Sequence, residues 1–224
     1  MSAQSLLDQI LKSGASALGG ARQAATGSDM GKYATGAAVG GVLGLLLGSR
    51  GGRRMGGKAL KYGSVAALGA LAWKVYQDQQ SQQRPQPGSV AASAPAAPPV
   101  FAALPAPQLE AHSRAMLKAM IAAAKSDGHM DERERDLVEA GIDRLEPDPA
   151  IRSWIDIELR RPLDPADVAA AATGPEMAAE IYLASVMVVD DTTTMERADL
   201  DELARQLKLE PGLKAELEAR TAAA

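Results

Sequence analysis

The chain has 224 residues, 24 Lys/Arg against 28 Asp/Glu, and no cysteine. Without cysteine there are no disulfides, thiol nucleophiles or thiolate metal sites, which fits a reducing compartment. The net charge of −4 conceals a split, because residues 1–84 carry ten Lys/Arg against three acids and residues 85–224 fourteen against twenty-five, and an acidic half disfavours nucleic acid as a partner.

In chain order, the first predicted element is a short amphipathic helix over residues 2–13, within a segment spanning 1–31. Leu6, Leu7, Ile10 and Leu11 recur at helical spacing behind Ser5, which forms a weak capping-box pattern with Asp8. The stretch lacks the basic start, continuous apolar run and cleavage site of a signal peptide. It is expected to pack on its own protein or lie on a membrane surface.

The next segment, 32–78, carries glycine at every fourth position: Gly36, Gly40, Gly44, Gly48, Gly52 and Gly56. On a helix these form a smooth stripe that lets a second backbone approach closely. Each interior glycine costs roughly 1 kcal/mol relative to alanine in a helix, so the repeat is hard to explain by propensity in water, whereas in lipid small residues at this spacing are a packing surface. Gly36, Gly40, Gly44 and Gly48 fall in Tyr33 to Ser49, 17 uncharged residues. As a helix this stretch measures about 25 Å, just short of the roughly 30 Å hydrocarbon core. Tyr62 to Trp73, with 12 uncharged residues, suits a hairpin partner or an interfacial helix. Tyr33, Tyr62, Trp73 and Tyr76 stand at the ends of these stretches, where amphipathic rings favour headgroups. Membrane association is therefore expected, with a helical hairpin burying its stripe against protein as the alternative. If only the first stretch spans, the basic flank from Arg50 to Lys61 places the C-terminal side in the cytoplasm.

Residues 79–108 hold seven of the thirteen prolines among Gln, Ser and Ala, and read as a disordered spacer. From 109 to 224 every strong period is helical. Met116, Leu117, Met120 and Ile121 mark one face; Leu137, Val138 and Ile142 a second; Ile151, Trp154, Ile155 and Leu159 a third. Val168 with its alanines, Met177 to Val189, Leu200 to Leu207, and Leu213 with Leu217 supply the rest. Pro175 suits a first helical turn, so the β-branched run Val186 to Val189 reads as helix rather than strand. The fold class is all-α, with a bundle of six or seven helices at the C-terminal end.

Two acidic runs in this bundle share a pattern. Asp127, Asp131 and Glu134 are separated by four and three residues; Asp191, preceded by Asp190, is followed by Glu196 and Asp199 at five and three. Such spacing brings oxygen ligands toward one helix face, where a hard divalent cation such as Ca²⁺ or Mg²⁺ could be held. Neither run is an EF-hand, since from Asp127 the third position is His129 and the twelfth is Val138. Capping accounts for both runs equally well, with Asp131 paired to Glu134 and Thr193 to Glu196.

The basic SRGGRRMGGKALKYG, the apolar VAALGALAWKVYQ, the Pro/Ala spacer, MIAAAKSDGHMDERE and DDTTTMERADLDELARQLKL together resemble the YebE family of bacterial inner-membrane proteins, whose C-terminal domain is similar to TerB of the tellurite-resistance family. The resemblance implies a helical TerB-like domain attached to the cytoplasmic membrane. It also implies metal binding by acidic residues at two helix junctions, here Asp127, Asp131 and Glu134 with Asp190 or Asp191, Glu196 and Asp199. Asp191 stands where Gly128 does, so the second run departs from the pattern.

No catalytic residues are expected. The only histidines are His112 and His129, and no nucleophile elbow or phosphate loop is present. Two function classes follow: a membrane-anchored binding or sensing module that engages a cation and a protein partner in envelope or metal stress, or a membrane-structural protein that forms homo-oligomers through its glycine stripe.

Overall fold

A computed structural model describes residues 1–11, 65–83, 104–126, 130, 132–189 and 193–222. Every regular element among them is helical. We number these α1 (residues 3–11), α2 (Val65–Gln83), α3 (Ala106–Ala124), α4 (Glu132–Asp143), α5 (Pro149–Arg160), α6 (Pro165–Ala169), α7 (Pro175–Val188), α8 (Thr194–Gln206) and α9 (Pro211–Ala222). The glycine stripe Gly36, Gly40, Gly44 and Gly48 lies outside the described residues, as does most of the Pro-rich spacer. Among the described residues no helix is long and apolar enough to cross a membrane.

Proline sets many of the helix starts. Its fixed φ suits the first turn, and its missing N–H is no loss there. Asp148 and Asp164 precede Pro149 and Pro165 and cap α5 and α6, each carboxylate accepting an N–H two residues on, from Ala150 and Ala166, at 2.9 Å. Pro175 opens α7 and Pro211 opens α9. The far end of α8 closes as a complete Schellman motif: Lys208 N–H donates to Arg205 O at 3.1 Å, and Leu209 N–H to Ala204 O at 3.0 Å.

The centre of the body is α7. From Met177 to Val189 only Glu180 is not fully buried, so this helix is enclosed on every side. Packed against it are α3 and α2 most extensively, then α9 and α8; α5 and α6 lie against α3, and α4 against α5. Leu217 of α9, with Ala72 and Val75 of α2, is completely buried. Thus the second uncharged stretch of the sequence, from Val65 onward, forms a helix whose inner face is covered by protein. It approaches α7 closely at Gly69, where a Cβ would lie 3.1 Å from Glu180 Oε1. Glu180 in turn binds the His112 imidazole of α3, and both side chains are 13% exposed.

The N-terminal helix is also docked on this body. Ala3, Leu6, Leu7, Ile10 and Leu11 are all buried. Its cap is Ser2 rather than Ser5: Ser5 N–H donates to Ser2 Oγ at 3.3 Å, and Leu6 N–H to Ser2 O at 3.0 Å. Starting earlier brings Ala3 inward, and its N–H donates to both carboxylate oxygens of Glu110 at 3.1 Å. Burying a large aliphatic side chain contributes roughly 1.5–3 kcal/mol. Ordering each residue costs about 1–2 kcal/mol in backbone entropy. Burial of these four side chains contributes on the order of 6–12 kcal/mol toward the cost of ordering α1.

Lys208 sits at φ 55°, the left-handed conformation a Schellman motif requires, in which a side chain is disfavoured by about 1–2 kcal/mol. Lys208→Gly is expected to raise the melting temperature by roughly 2–4 °C, after allowing for glycine's larger unfolded-state entropy. Differential scanning calorimetry checks this.

Candidate acidic cleft at the end of the bundle

Most of the acidic candidates from the sequence lie outside the described residues: Asp127, Asp131, Asp190 and Asp191, together with His129. Glu134 falls within α4, but its side chain is not among those described. Glu196 and Asp199 are placed by the structure, and they do different things.

Glu196 is buried at the start of α8 and closes a capping box. Its Oε2 accepts the Thr193 N–H and the Thr193 hydroxyl, each at 2.9 Å, while Thr193 Oγ1 accepts the Glu196 N–H at 3.1 Å. The reciprocal pair satisfies two helix-start donors and places a negative charge at the positive end of the helix dipole. Capping expected from Thr193 and Glu196 is therefore present, and this carboxylate oxygen is committed to it.

Asp199, one turn later, points elsewhere. It lines a small cleft, open to solvent, whose volume of about 20 Å³ has room for little more than a water molecule and whose walls are mostly apolar: Ala122 and Ala123 of α3, Val168 of α6, and Leu200 and Leu203 of α8. Burial beside these groups pushes the Asp199 carboxyl above the ordinary aspartate range. Among the described residues it has no hydrogen-bond or ion-pair partner. Ser126 and Val189 line the same cleft. These are the described residues immediately before Asp127 and Asp190, so the chain enters both acidic runs from residues that line this cleft with Asp199. Among the described residues no group of three or more His, Asp or Glu is gathered closely enough to hold a metal.

Beside this cleft is a second polar cluster that sequence spacing did not single out. Asp167 accepts from Lys118 Nζ at 2.7 Å and Arg161 at 2.8 Å, and chiefly the Lys118 contact holds its carboxyl below the usual range. Lys125 Nζ donates to the backbone carbonyls of Glu158 and Arg161 and so closes the C-terminal end of α5; burial pushes its ammonium down. These contacts join α3 to α5 and α6 and read as architecture. On α2, Trp73 and Tyr76 are half-buried with ring centroids 6.3 Å apart, and Tyr76 packs against the core while its hydroxyl accepts from Gln80 at 2.6 Å. Tyr33 and Tyr62 lie outside the described residues.

An all-helical body built around one enclosed helix defines the class. The chain belongs to DUF533, a family of proteins of unknown function with a TerB-like character, whose model matches residues 32–221. It is similar to an uncharacterized protein in the ampR 5′ region of Yersinia enterocolitica, 31% identical over 94 residues, covering 42% of this chain and 68% of that protein. No solved structure matches the chain.

Asp199 provides a direct test of the cleft's electrostatics. Its folded pKa is raised, so the folded state holds the proton more tightly, and the ionised carboxylate destabilises the fold at neutral pH. In chelator-treated buffer at pH 7, Asp199→Asn should melt higher than the parent. The gap should close as pH falls toward about 4, near the ordinary aspartate value. Thermal melts across pH 4–8 measure it.

Proposed function

We propose that this protein is a membrane-anchored, non-enzymatic binding and sensing module whose TerB-like body takes up a divalent cation, Ca²⁺ or Mg²⁺, at the acidic cleft and thereby engages a protein partner. The observation that carries the reading is Asp199: a partly buried carboxylate, without a partner among the described residues, in a cleft lined also by the residues from which the chain enters both acidic runs. A carboxylate held in an apolar wall costs stability unless a ligand compensates for it. With Asp127, Asp131, Glu134, Asp190 and Asp191 in the adjoining segments, the donor set is all oxygen, which suits a hard cation. Glu196 is a weaker ligand candidate, since one of its oxygens already serves the cap.

Anchoring is supported by the glycine stripe, the uncharged stretch around it and the basic character of residues 1–84. In sequence, α2 begins nine residues after Gly56, and it is docked on α7. An anchor there would hold the body beside the bilayer, rather than at the end of the Pro-rich spacer. The inner membrane with the body on its cytoplasmic side is the location we propose.

The test uses the full chain. Saturating Ca²⁺ or Mg²⁺ should raise the melting temperature of the parent, while leaving Asp199→Asn and Asp127→Asn/Asp131→Asn unmoved. A ligand at 100 times its Kd stabilises by about 2.7 kcal/mol, so the order of stability between the parent and Asp199→Asn should reverse on adding the ion. Equal shifts in all three chains, or none, would sink the cation reading. Separately, Gly40→Leu/Gly44→Leu should leave the cation response intact; a smaller detergent-solubilised oligomer in that variant would instead favour the glycine stripe as an assembly element.

A further inference from the structure

The contact between α4 and α5 contains one carboxylate too many. α4 packs chiefly on α5, and among its described side chains Val138 and Ile142 are the buried apolar ones, so its apolar hold is small. Glu139 stands between them on the same helix. From α5 the charged groups that face it are Arg152, Asp156 and Arg160; on α4 itself Asp136 and Asp143 lie about one turn before and after it. Both arginines are already engaged by other acids. Arg152 grips Asp143 through Nε and Nη2. Arg160 directs Nε and Nη2 at Asp156 Oδ1, at 2.8 and 2.7 Å. Glu139 Oε1 is left buried without a hydrogen-bond partner among the described residues, with Arg160 Nη2 at 3.6 Å. A buried carboxylate oxygen in that position is costly while it carries charge.

The space beside Glu139 limits what can complete the set. A pocket of about 10 Å³ is lined by Glu139, Ile142, Asp143, Arg152, Ile155 and Asp156. That volume is at the lower limit for one water and has no room for a hydrated cation, whereas a proton needs none. We propose that α4 is held on α5 by a proton-operated clasp: a proton on Glu139 lets it donate to Asp156, and loss of that proton sets the two carboxylates against each other and loosens α4. Burial first, then the hydrogen bond and the charge of Asp156, push the Glu139 carboxyl above the ordinary glutamate range, with Arg160 opposing. A carboxyl raised in the folded state contributes stability that is complete below its unfolded value, about 4.3, and fades as pH rises through the folded one. The clasp therefore closes in acid and opens on the alkaline side. In sequence α4 follows directly on Asp131, so opening frees the helix that the first acidic run enters. The clasp itself uses no residue of that run and no cation.

Hydrogen exchange on the full chain, in chelator-treated buffer, measures the clasp directly. With rates corrected for the intrinsic effect of pH, residues 132–143 of the parent should lose about tenfold in protection relative to α7 between about pH 5 and about pH 8. Glu139→Gln keeps the shape of the side chain and donates to Asp156 at every pH, so α4 should stay protected throughout. Asp156→Asn should flatten the profile by another route, since it removes the opposing carboxylate and frees Arg160 for Glu139. The parent profile is readable whether or not either variant folds. An α4 that keeps step with α7 at every pH in the parent would overturn the clasp, as would a parent-like pH response in folded Glu139→Gln or Asp156→Asn. A response that appears only on adding Ca²⁺ would also overturn it, and would assign the movement to the cation instead.

Discussion

From Met177 onward α7 buries every residue but Glu180, and this one condition organises the rest of the body. Burial on all sides requires neighbours on all sides, and α3, α2, α9 and α8 are those neighbours. The few polar atoms on α7 are then satisfied by its surroundings. Glu180 meets His112 of α3, and the Tyr182 hydroxyl donates to Glu218 of α9 at 2.5 Å. Ser185 Oγ turns back to Ile181 O at 3.1 Å, a bond within the helix itself. The first two contacts each fix one neighbour in rotation as well as position. The same requirement explains why α2 belongs to this body although a long run of sequence separates it from α3: without it, the side of α7 facing Ala72 and Val75 would be bare.

The helical faces were legible because periodicity survives any tertiary arrangement. Met116, Leu117, Met120 and Ile121 are buried, as are Ile151, Ile155 and Leu159, and Leu213 with Leu217. Val186 and Val188 stay helical despite their β-branched character because helices surround them, while Val189 leaves the helix as its extended C-cap. The capping box of Thr193 and Glu196 was readable since it is made by residues three apart. What was not legible depends on distant partners. The cap of α1 moves to Ser2 because Glu110, 107 residues away, draws Ala3 inward. The destination of α2 was ambiguous for a chemical reason: small and apolar side chains suit a bilayer and a protein surface alike. In the second acidic run, spacing put Glu196 and Asp199 toward one helix face, yet the capping carboxylate of Glu196 turns back toward its helix start while Asp199 faces a cleft. Asp148-Pro149 and Asp164-Pro165 were local signals that could have been read as helix starts from the sequence.

The two ends of the Pro-rich segment bear on how the molecule is held together. Residue 83 closes α2 and residue 106 opens α3, and both helices pack along α7. The segment between them therefore links two parts of one body. What keeps α2 on the body is its packing along α7, so the hold on this helix lies in the hydrophobic surface of α7 as well as in the covalent connection from Gln83 to Ala106.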